Sequence, residues 1–342
     1  MKTLADIAQK VGVSQATVSR VINGKPGVSK ETRQSVMDAM QSLGMPKSEA
    51  TRSTTHEVAL VTPDMTNPIF PAFATAIATQ LAQRNVLPLL CTYTFGGATE
   101  NSLLTMVMNR QIDGVIFIAG HYDTRHGDFS MYNLLDERRI PKVFINETDP
   151  SIKGTVVRTD DALGCEMAMR LLMSQGHRRV ALLMGDRNHY PSIMKWKAAK
   201  QFAQDNNIEI VDTIWTTYGF GSGHDAAVKL VENGVTALLC ASDALALGAI
   251  KALNARGIRV PDDISVIGYD DSPQLSYTRP SLTTLRQPVE QISRSAVSSL
   301  FSMINDETSS TQQRVITLDP ELVVRGSTGL CRDLLGKHDL ED

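Results

Sequence analysis

From residue 57 onward the chain sets short, β-rich apolar runs between segments long enough to be helices, and this rhythm constrains the fold more than any other feature. Val58–Thr62, Val86–Tyr93, Gly114–Ala119, Lys142–Asn146, Arg179–Met184, Ala237–Ala241 and Ile264–Tyr269 each read as a strand bounded by turn residues. Pro71–Arg84 and Ala162–Gln175 have helix length. Strands alternating with helices give parallel sheets covered by helices on both faces, an α/β class. Two such sets, 57–154 and 155–283, predict two similar lobes. Gln287–Thr328 adds a helix and two strand-like runs, Arg314–Leu318 and Glu321–Val324. If these cross back over both sets, lobe one takes 57–154 and 287–313, and lobe two takes 155–283 and 314–328.

The first 45 residues follow a different period. Leu4, Ile7, Ala8 and Val11 recur on one helical face, and Thr3 with Asp6 fits a capping signature. Gly12 ends that helix, and Ser14 opens a second, Gln15 to Ile22, with Val18, Val21 and Ile22 turned inward. The turn signal Asn23-Gly24-Lys25-Pro26-Gly27 precedes a third helix, opened by Ser29 and striped by Val36, Met37, Met40 and Leu43. Three short helices, the first two joined by a tight Gly-containing turn, predict a helix-turn-helix. Gln15, Ala16, Thr17, Ser19 and Arg20 remain for the outer face of its second helix. Gln and Arg suit base edges, Ala suits a thymine methyl, and hydroxyls suit phosphates. A generic three-helix bundle with a polar surface is the alternative.

Charge separates the two parts. The whole chain is −3, but residues 1–55 carry eight Lys/Arg against four Asp/Glu, leaving +4 there and −7 on the remainder. A basic head on an acidic body suits a phosphate-binding module. Over the 342 residues, 42% hydrophobic content supplies ample core. No apolar run reaches the length of a membrane span, and the start Met1-Lys2-Thr3-Leu4-Ala5-Asp6 lacks a signal peptide's apolar centre, so a cytoplasmic protein is expected. Cys91, Cys165, Cys240 and Cys331 are scattered, without metal-ligand spacing, and are expected to be reduced.

The motif Thr3-Leu4-Ala5-Asp6-Ile7-Ala8, then Gly12-Val13-Ser14-x-x-Thr17-Val18-Ser19-Arg20-Val21-Ile22-Asn23, then Val28-Ser29-x-x-Thr32-Arg33, resembles the DNA-binding head of the lactose-repressor (LacI/GalR) family. The resemblance implies that Gln15, Ala16 and Arg20 read bases and that Thr17, Ser19 and Asn23 anchor the backbone. Thr3, Leu4 and Ser14 stand in the same motifs and complete the candidate DNA-binding set. The family's leucine-bearing hinge segment is not matched. Residues 46–56 keep Pro46 and Ala50 but place Lys47 and Ser53 where Asn and Leu belong, so they read as an atypical polar linker.

Further motifs extend the resemblance to the family's periplasmic-binding-protein-like sensor. They are Thr62-Pro63-Asp64-x-x-Asn67-Pro68-x-Phe70, Gly176-His177-Arg178-Arg179-Val180-Ala181, Ser242-Asp243-x-x-Ala246-Leu247-Gly248, Val260-Pro261-Asp262-Asp263-Ile264 onward to Asp271, Leu282-Thr283-Thr284-x-x-Gln287-Pro288 and Val324-Arg325-Gly326-Ser327-Thr328. The sensor is expected over 57–328, with 329–342 a flexible tail. Ligands of such sensors bind between the lobes, beyond the carboxyl ends of the strands. Asp270 is expected there as a hydroxyl acceptor, the alternative being a helix cap. Lys195 stands where the family usually carries a ligand-facing arginine. Phe70 and Tyr218 match aromatic positions that flank a sugar or base, the alternative being plain core. Ser242 and Asp243 lie at another strand end, and Asp160 follows the expected crossover.

Two rival classes fare worse. Gly219-Phe220-Gly221-Ser222-Gly223-His224 offers an enzyme's glycine-rich loop, but His224 takes the third glycine's place and no strand directly precedes it. A secreted binding protein would carry a signal peptide and no helix-turn-helix. The resemblance implies a non-enzymatic regulator, most often a repressor, without metal or cofactor. Its partners would be double-stranded operator DNA, a small-molecule effector (a sugar or derivative first, a nucleoside second) and a second copy in a homodimer, with no membrane.

Overall fold

The computed structural model describes residues 3–22, 27–43, 56–63, 65–94, 97–110, 112–230, 234–305 and 313–332. They divide into two units, Met1–His56 and Glu57–Asp342. In the first, α1 (Leu4–Val11), α2 (Gln15–Ile22) and α3 (Lys30–Ser42) close around Ile7, Ala8, Val18, Val21, Val36, Ala39 and Met40. Local chemistry sets their ends. The Thr3 backbone N–H donates to Asp6 Oδ2 at 2.6 Å, and the Thr17 and Thr32 N–H groups donate to the Ser14 and Ser29 hydroxyls at 3.0 and 3.2 Å. Gly12 ends α1 at φ +73°, where a Cβ would be strained. Asn23 and the linker residues 44–55 lie outside the described residues.

The second unit holds two six-stranded sheets among the described residues. One runs β11-β5-β4-β3-β1-β2, from β1 (Glu57–Thr62), β2 (Leu87–Thr92), β3 (Gly114–Phe117), β4 (Lys142–Ile145), β5 (Thr155–Thr159) and β11 (Arg314–Leu318). The other runs β12-β10-β9-β8-β6-β7, from β6 (Arg179–Met184), β7 (Glu209–Trp215), β8 (Ala237–Cys240), β9 (Ser265–Asp270), β10 (Thr283–Arg286) and β12 (Glu321–Val323). All pairings are parallel except β10 with β12, as βα alternation requires. Of the eight inner strands, β1, β3, β4, β6, β8 and β9 are almost wholly buried, which fits their largely apolar sequences.

The expected lobe boundary at 155 falls one strand too early. Thr155–Thr159 pairs with β4, and Arg314–Leu318 pairs with Thr155–Thr159, so both belong to lobe one. The chain crosses between lobes at Thr159–Asp160, at Arg286–Val289 and at Leu318–Glu321, with Asp160 N–H donating to the Leu318 carbonyl at 2.8 Å. On lobe one lie α4 (Ile69–Ala82), α5 (Glu100–Met108), α6 (Ser130–Glu137) and α11 (Val289–Asn305). On lobe two lie α7 (Asp161–Ser174), α8 (Tyr190–Asp205), α9 (Phe220–Leu230) and α10 (Asp243–Ala255). The lobes also touch away from the crossings. Arg125 N–H donates to the Asn188 carbonyl at 2.7 Å, and Tyr190 Oη to Asp149 Oδ2 at 2.7 Å.

The glycine-rich stretch is the start of α9 and not a phosphate loop. A Cβ on Gly223 would stand 2.3 Å from the Leu245 carbonyl, and one on Gly248 would stand 2.1 Å from the Phe220 carbonyl. These glycines let α9 and α10 approach backbone to backbone. The segment after Thr328 differs from the expected tail over its described part: Cys331 is buried, and its N–H donates to the Gln175 carbonyl at 2.8 Å. Residues 333–342 lie outside the described residues.

Candidate functional site

In the head, burial of Val18 and Val21 turns the opposite side of α2 outward. Gln15, Ala16 and Arg20 are exposed, while Thr17 and Ser19 are half-buried. Thr3, Leu4 and Ser14 are also exposed. Ser14 has a structural task as well, because its hydroxyl caps α2 and contacts the Thr17 hydroxyl at 2.9 Å. Arg33 donates to the Val21 carbonyl at 3.4 Å, bracing the end of α2 from α3. The result is a helix held by a small core, presenting an amide, a methyl, hydroxyls and a guanidinium on one surface. That set matches major-groove base edges and the flanking phosphates.

In the sensor, Asp270 ends β9 at φ +119°, a conformation costly for any residue with a Cβ. It is 7% exposed. Gln287 Nε2 donates to its Oδ1 at 2.7 Å, and Thr159 Oγ1 donates to Gln287 Oε1 at 2.8 Å. Asp270 is thus wired through Gln287 to two of the interlobe crossings. Burial, reinforced by the nearby Asp243 charge, pushes the Asp270 carboxyl well above its ordinary range, against the pull of Lys195. A cavity of about 310 Å³ opens beside it, between the start of α4 (Pro68, Ile69, Ala72) and the Asp270–Pro273 and Arg286–Gln291 segments.

A second group of side chains gathers around Lys195. Lys195, on α8, is buried; its Nζ lies 3.4 Å from Asp161 Oδ1 and 4.0 Å from the Tyr269 ring centroid. Tyr269 Oη donates to the same Asp161 oxygen. Burial disfavours the Lys195 ammonium, but the charges of Asp161 and Asp270 overcome this and raise its pKa. Tyr218 Oη and Ser192 Oγ lie 2.7 Å apart, and the Tyr218 ring covers Gly185, where a Cβ would stand 2.1 Å from it.

The structure brings Asp270, Lys195 and Tyr218 into one electrostatic cluster, and Asp270 alone of the expected ligand residues lines the cavity. It gives the others structural tasks. Ser242 caps α10 by accepting from Leu245 N–H at 3.3 Å. Asp243, 2% exposed, accepts from Ser272 N–H at 2.7 Å and from Thr284 Oγ1 at 2.6 Å, and its carboxyl is pushed up to about 6 by burial. Asp160 caps α7 through Leu163 N–H at 2.9 Å. Phe70 is half-buried against the lobe-one core. Sequence reading missed Asp161 and Gln287. The doubled Asp160-Asp161 was a usable signal, since one carboxylate suffices to cap a helix.

A helix-turn-helix with an open polar face, followed by a two-lobed α/β body with a buried carboxyl beside a cavity between its lobes, defines a DNA-binding regulator with a sensor domain. Comparison with known proteins agrees: residues 3–45 match the bacterial regulatory proteins of the lacI family, and residues 169–328 match a periplasmic binding protein-like domain. A helix-turn-helix transcriptional regulator from the aml 5' region of Streptomyces limosus is 41% identical over 95% of this chain and 94% of the relative. This chain belongs to the lacI family of transcription regulators, not to a family of enzymes. The Lac repressor bound to ONPG shares the fold, with a TM-score of 0.76 at 23% identity over 96% of this chain and 99% of that one. A transcriptional regulator CelR–cellobiose complex has a TM-score of 0.70 at 27% identity over 96% of this chain and 100% of the other.

Proposed function

We propose that this protein is a cytoplasmic repressor that binds a two-fold-related operator as a homodimer and is switched by a sugar or sugar derivative held between the sensor lobes. On the DNA side Gln15, Ala16 and Arg20 read bases, while Thr3, Leu4, Ser14, Thr17 and Ser19 contact the backbone. On the ligand side Asp270 lines the cavity, with Lys195 and Tyr218 as further candidates for the ligand's polar and aromatic contacts. The observation that carries the reading is Asp270. A strained, buried carboxylate beside an interlobe cavity, with one oxygen held by Gln287, leaves the other to accept hydroxyl groups. Vicinal hydroxyls of a sugar are donors of that kind, and the CelR relative in complex with cellobiose supports the same class.

Two measurements test it. Binding-site selection with the full chain is expected to return a two-fold-symmetric sequence, and Arg20→Ala should weaken it by about 1–3 kcal/mol while relaxing one base position in each half-site. An unchanged base preference would make Arg20 a phosphate contact. A thermal-shift panel of sugars, sugar phosphates and nucleosides identifies the effector, because a ligand at about 100 times its Kd adds roughly 2.7 kcal/mol. A response to nucleosides alone would replace the sugar reading.

A further inference from the structure

The lobes meet at a place that the path of the chain does not require. The three crossings leave the carboxyl ends of β5, β10 and β11, whereas the segments holding Arg125 and Asn188 follow β3 and β6, two strands from β5 and three from β10. There Thr124 and His189 form an antiparallel bridge, and Arg125 N–H donates to the Asn188 carbonyl at 2.7 Å. Tyr190 Oη donates to Asp149 Oδ2 at 2.7 Å, and His189 Nδ1 stands 3.8 Å from Asp123 Oδ1. Both sides are braced within their own lobes. On lobe one, buried Tyr122 donates from Oη to the Ile145 carbonyl at 2.6 Å and from its N–H to Tyr132 Oη at 3.1 Å. Its carbonyl accepts from Asp149 N–H at 2.9 Å. Glu100, 1% exposed, accepts from Tyr132 Oη and from His121 N–H at 2.8 Å. A buried carboxyl is costly, and this one holds the segment that reaches lobe two. Ser151 N–H and Oγ occupy Asp149 Oδ1 at 2.9 and 2.6 Å, leaving Oδ2 for Tyr190. On lobe two, Asp186 accepts from Asn188 N–H at 2.7 Å through Oδ1 and from His189 N–H at 3.1 Å through its carbonyl.

We propose that residues 121–125 with Asp149, and residues 186–190 facing them, form a clasp, a non-covalent fourth connection that holds the lobes together away from the crossings and opens with both halves intact. A single hydrogen bond contributes little net stability, so these polar contacts can break without unfolding either lobe, while the covalent crossings persist. The buried tyrosines and Glu100 keep the lobe-one half in shape for reclosure. A ligand lying between the lobes that prefers one of the two forms shifts their equilibrium by the ratio of its affinities, whatever its chemistry.

Hydrogen exchange resolved to single amides, on the full-length protein without ligand, separates clasp opening from local unfolding. Arg125 N–H is bonded across the lobes, whereas Tyr122 and Asp149 N–H are bonded within lobe one. Wild type is expected to exchange Arg125 while Tyr122 and Asp149 stay protected. Tyr190→Phe should speed Arg125 exchange by about fivefold, the loss of one ordinary hydrogen bond, and leave the other two amides unchanged. Bridge partners on antiparallel strands have Cα atoms about 4.5–5.5 Å apart, within reach of a disulfide. Oxidised Thr124→Cys/His189→Cys should therefore protect Arg125 as fully as the two inner amides, and dithiothreitol should reverse this. Exchange of all three amides together, no acceleration in folded Tyr190→Phe, or failure of the disulfide to form in the folded chain overturns the clasp. If Tyr190→Phe does not fold, the oxidised and reduced forms of the double variant still decide.

Discussion

Asp270 is held where a carboxylate is costly, buried and at positive φ, which marks a residue kept for binding more than for stability. Its folded pKa lies above its ordinary 3.8, so the folded state takes up this proton first and the group's contribution to stability falls as pH rises through the window above 3.8. Asp270→Asn removes the buried charge and can keep the bond from Gln287 Nε2. The expected outcome is an unchanged or higher Tm without ligand, together with effector affinity reduced roughly ten- to a hundredfold. Calorimetry on the unliganded variant followed by ligand titration checks both halves; normal effector binding would reduce Asp270 to a structural residue. At this scale the sequence was partly legible. The strand-end position of Asp270 stood out from its apolar run, but Ser242, Asp243 and Asp160 stood beside it as further candidates. Whether a carboxylate faces a backbone N–H or a cleft is decided by tertiary packing, which residue type and spacing do not encode. Asp161 was hidden for the same reason, resembling an ordinary first-turn acid.

At the scale of elements, most strands were readable, edge strands β11 and β12 included, but β5, β7 and β10 were not. β5 interrupts its apolar run with Arg158, β7 is a half-buried edge strand, and β10 begins with Thr283 and Thr284, both buried yet polar. Missing β5 moved the lobe boundary, because a strand's partner is set by register across the chain and not by its neighbours in sequence. The contact of α9 with α10 makes a testable demand. In Gly248→Ala the new methyl meets the Phe220 carbonyl and His224 N–H at 2.1 and 2.8 Å, so the helices must part, at an expected cost of about 1–3 kcal/mol in chemical denaturation. A second demand concerns the strap after β12. His177 lies within 3.0 Å of Thr236 Oγ1, 2.9 Å of Ser265 Oγ and 3.1 Å of the Gly329 carbonyl, tying Gly329 to lobe two. Burial holds its pKa below 6.5, so the unfolded chain binds the proton more readily. The neutral ring's contribution is complete above about pH 6.5 and is lost as pH falls below it. Asp243 opposes this trend between 3.8 and about 6, so the comparison has to be made with a variant. Wild type should lose Tm more steeply than His177→Gln on acidification from pH 7 to 5, and parallel curves would count against the assignment.

For the whole molecule, the division into reader and sensor predicts separable stabilities. The head's core is a handful of side chains around Ile7, Val18 and Val36, whereas the sensor packs separate and much larger clusters on its sheets. The sensor's first strand is anchored without the head, since Glu57 N–H donates to Asp113 Oδ2 at 2.8 Å and β1 lies between β2 and β3. Deleting residues 1–56 should therefore leave a folded protein whose main calorimetric transition stays where the full chain has it. A fragment of residues 1–55 should be marginal, because a domain of that size buries only about 60% of its unfolded surface. The truncated sensor should bind effector but not DNA. Its effector affinity should equal that of the full chain without operator, because coupling between sites is reciprocal and vanishes when one site is removed. With operator present, the full chain's effector affinity should shift by the factor through which effector shifts operator binding. Equal effector affinities with and without operator would show that the two sites do not communicate at equilibrium. Insolubility of the 57–342 fragment would place the domain boundary elsewhere.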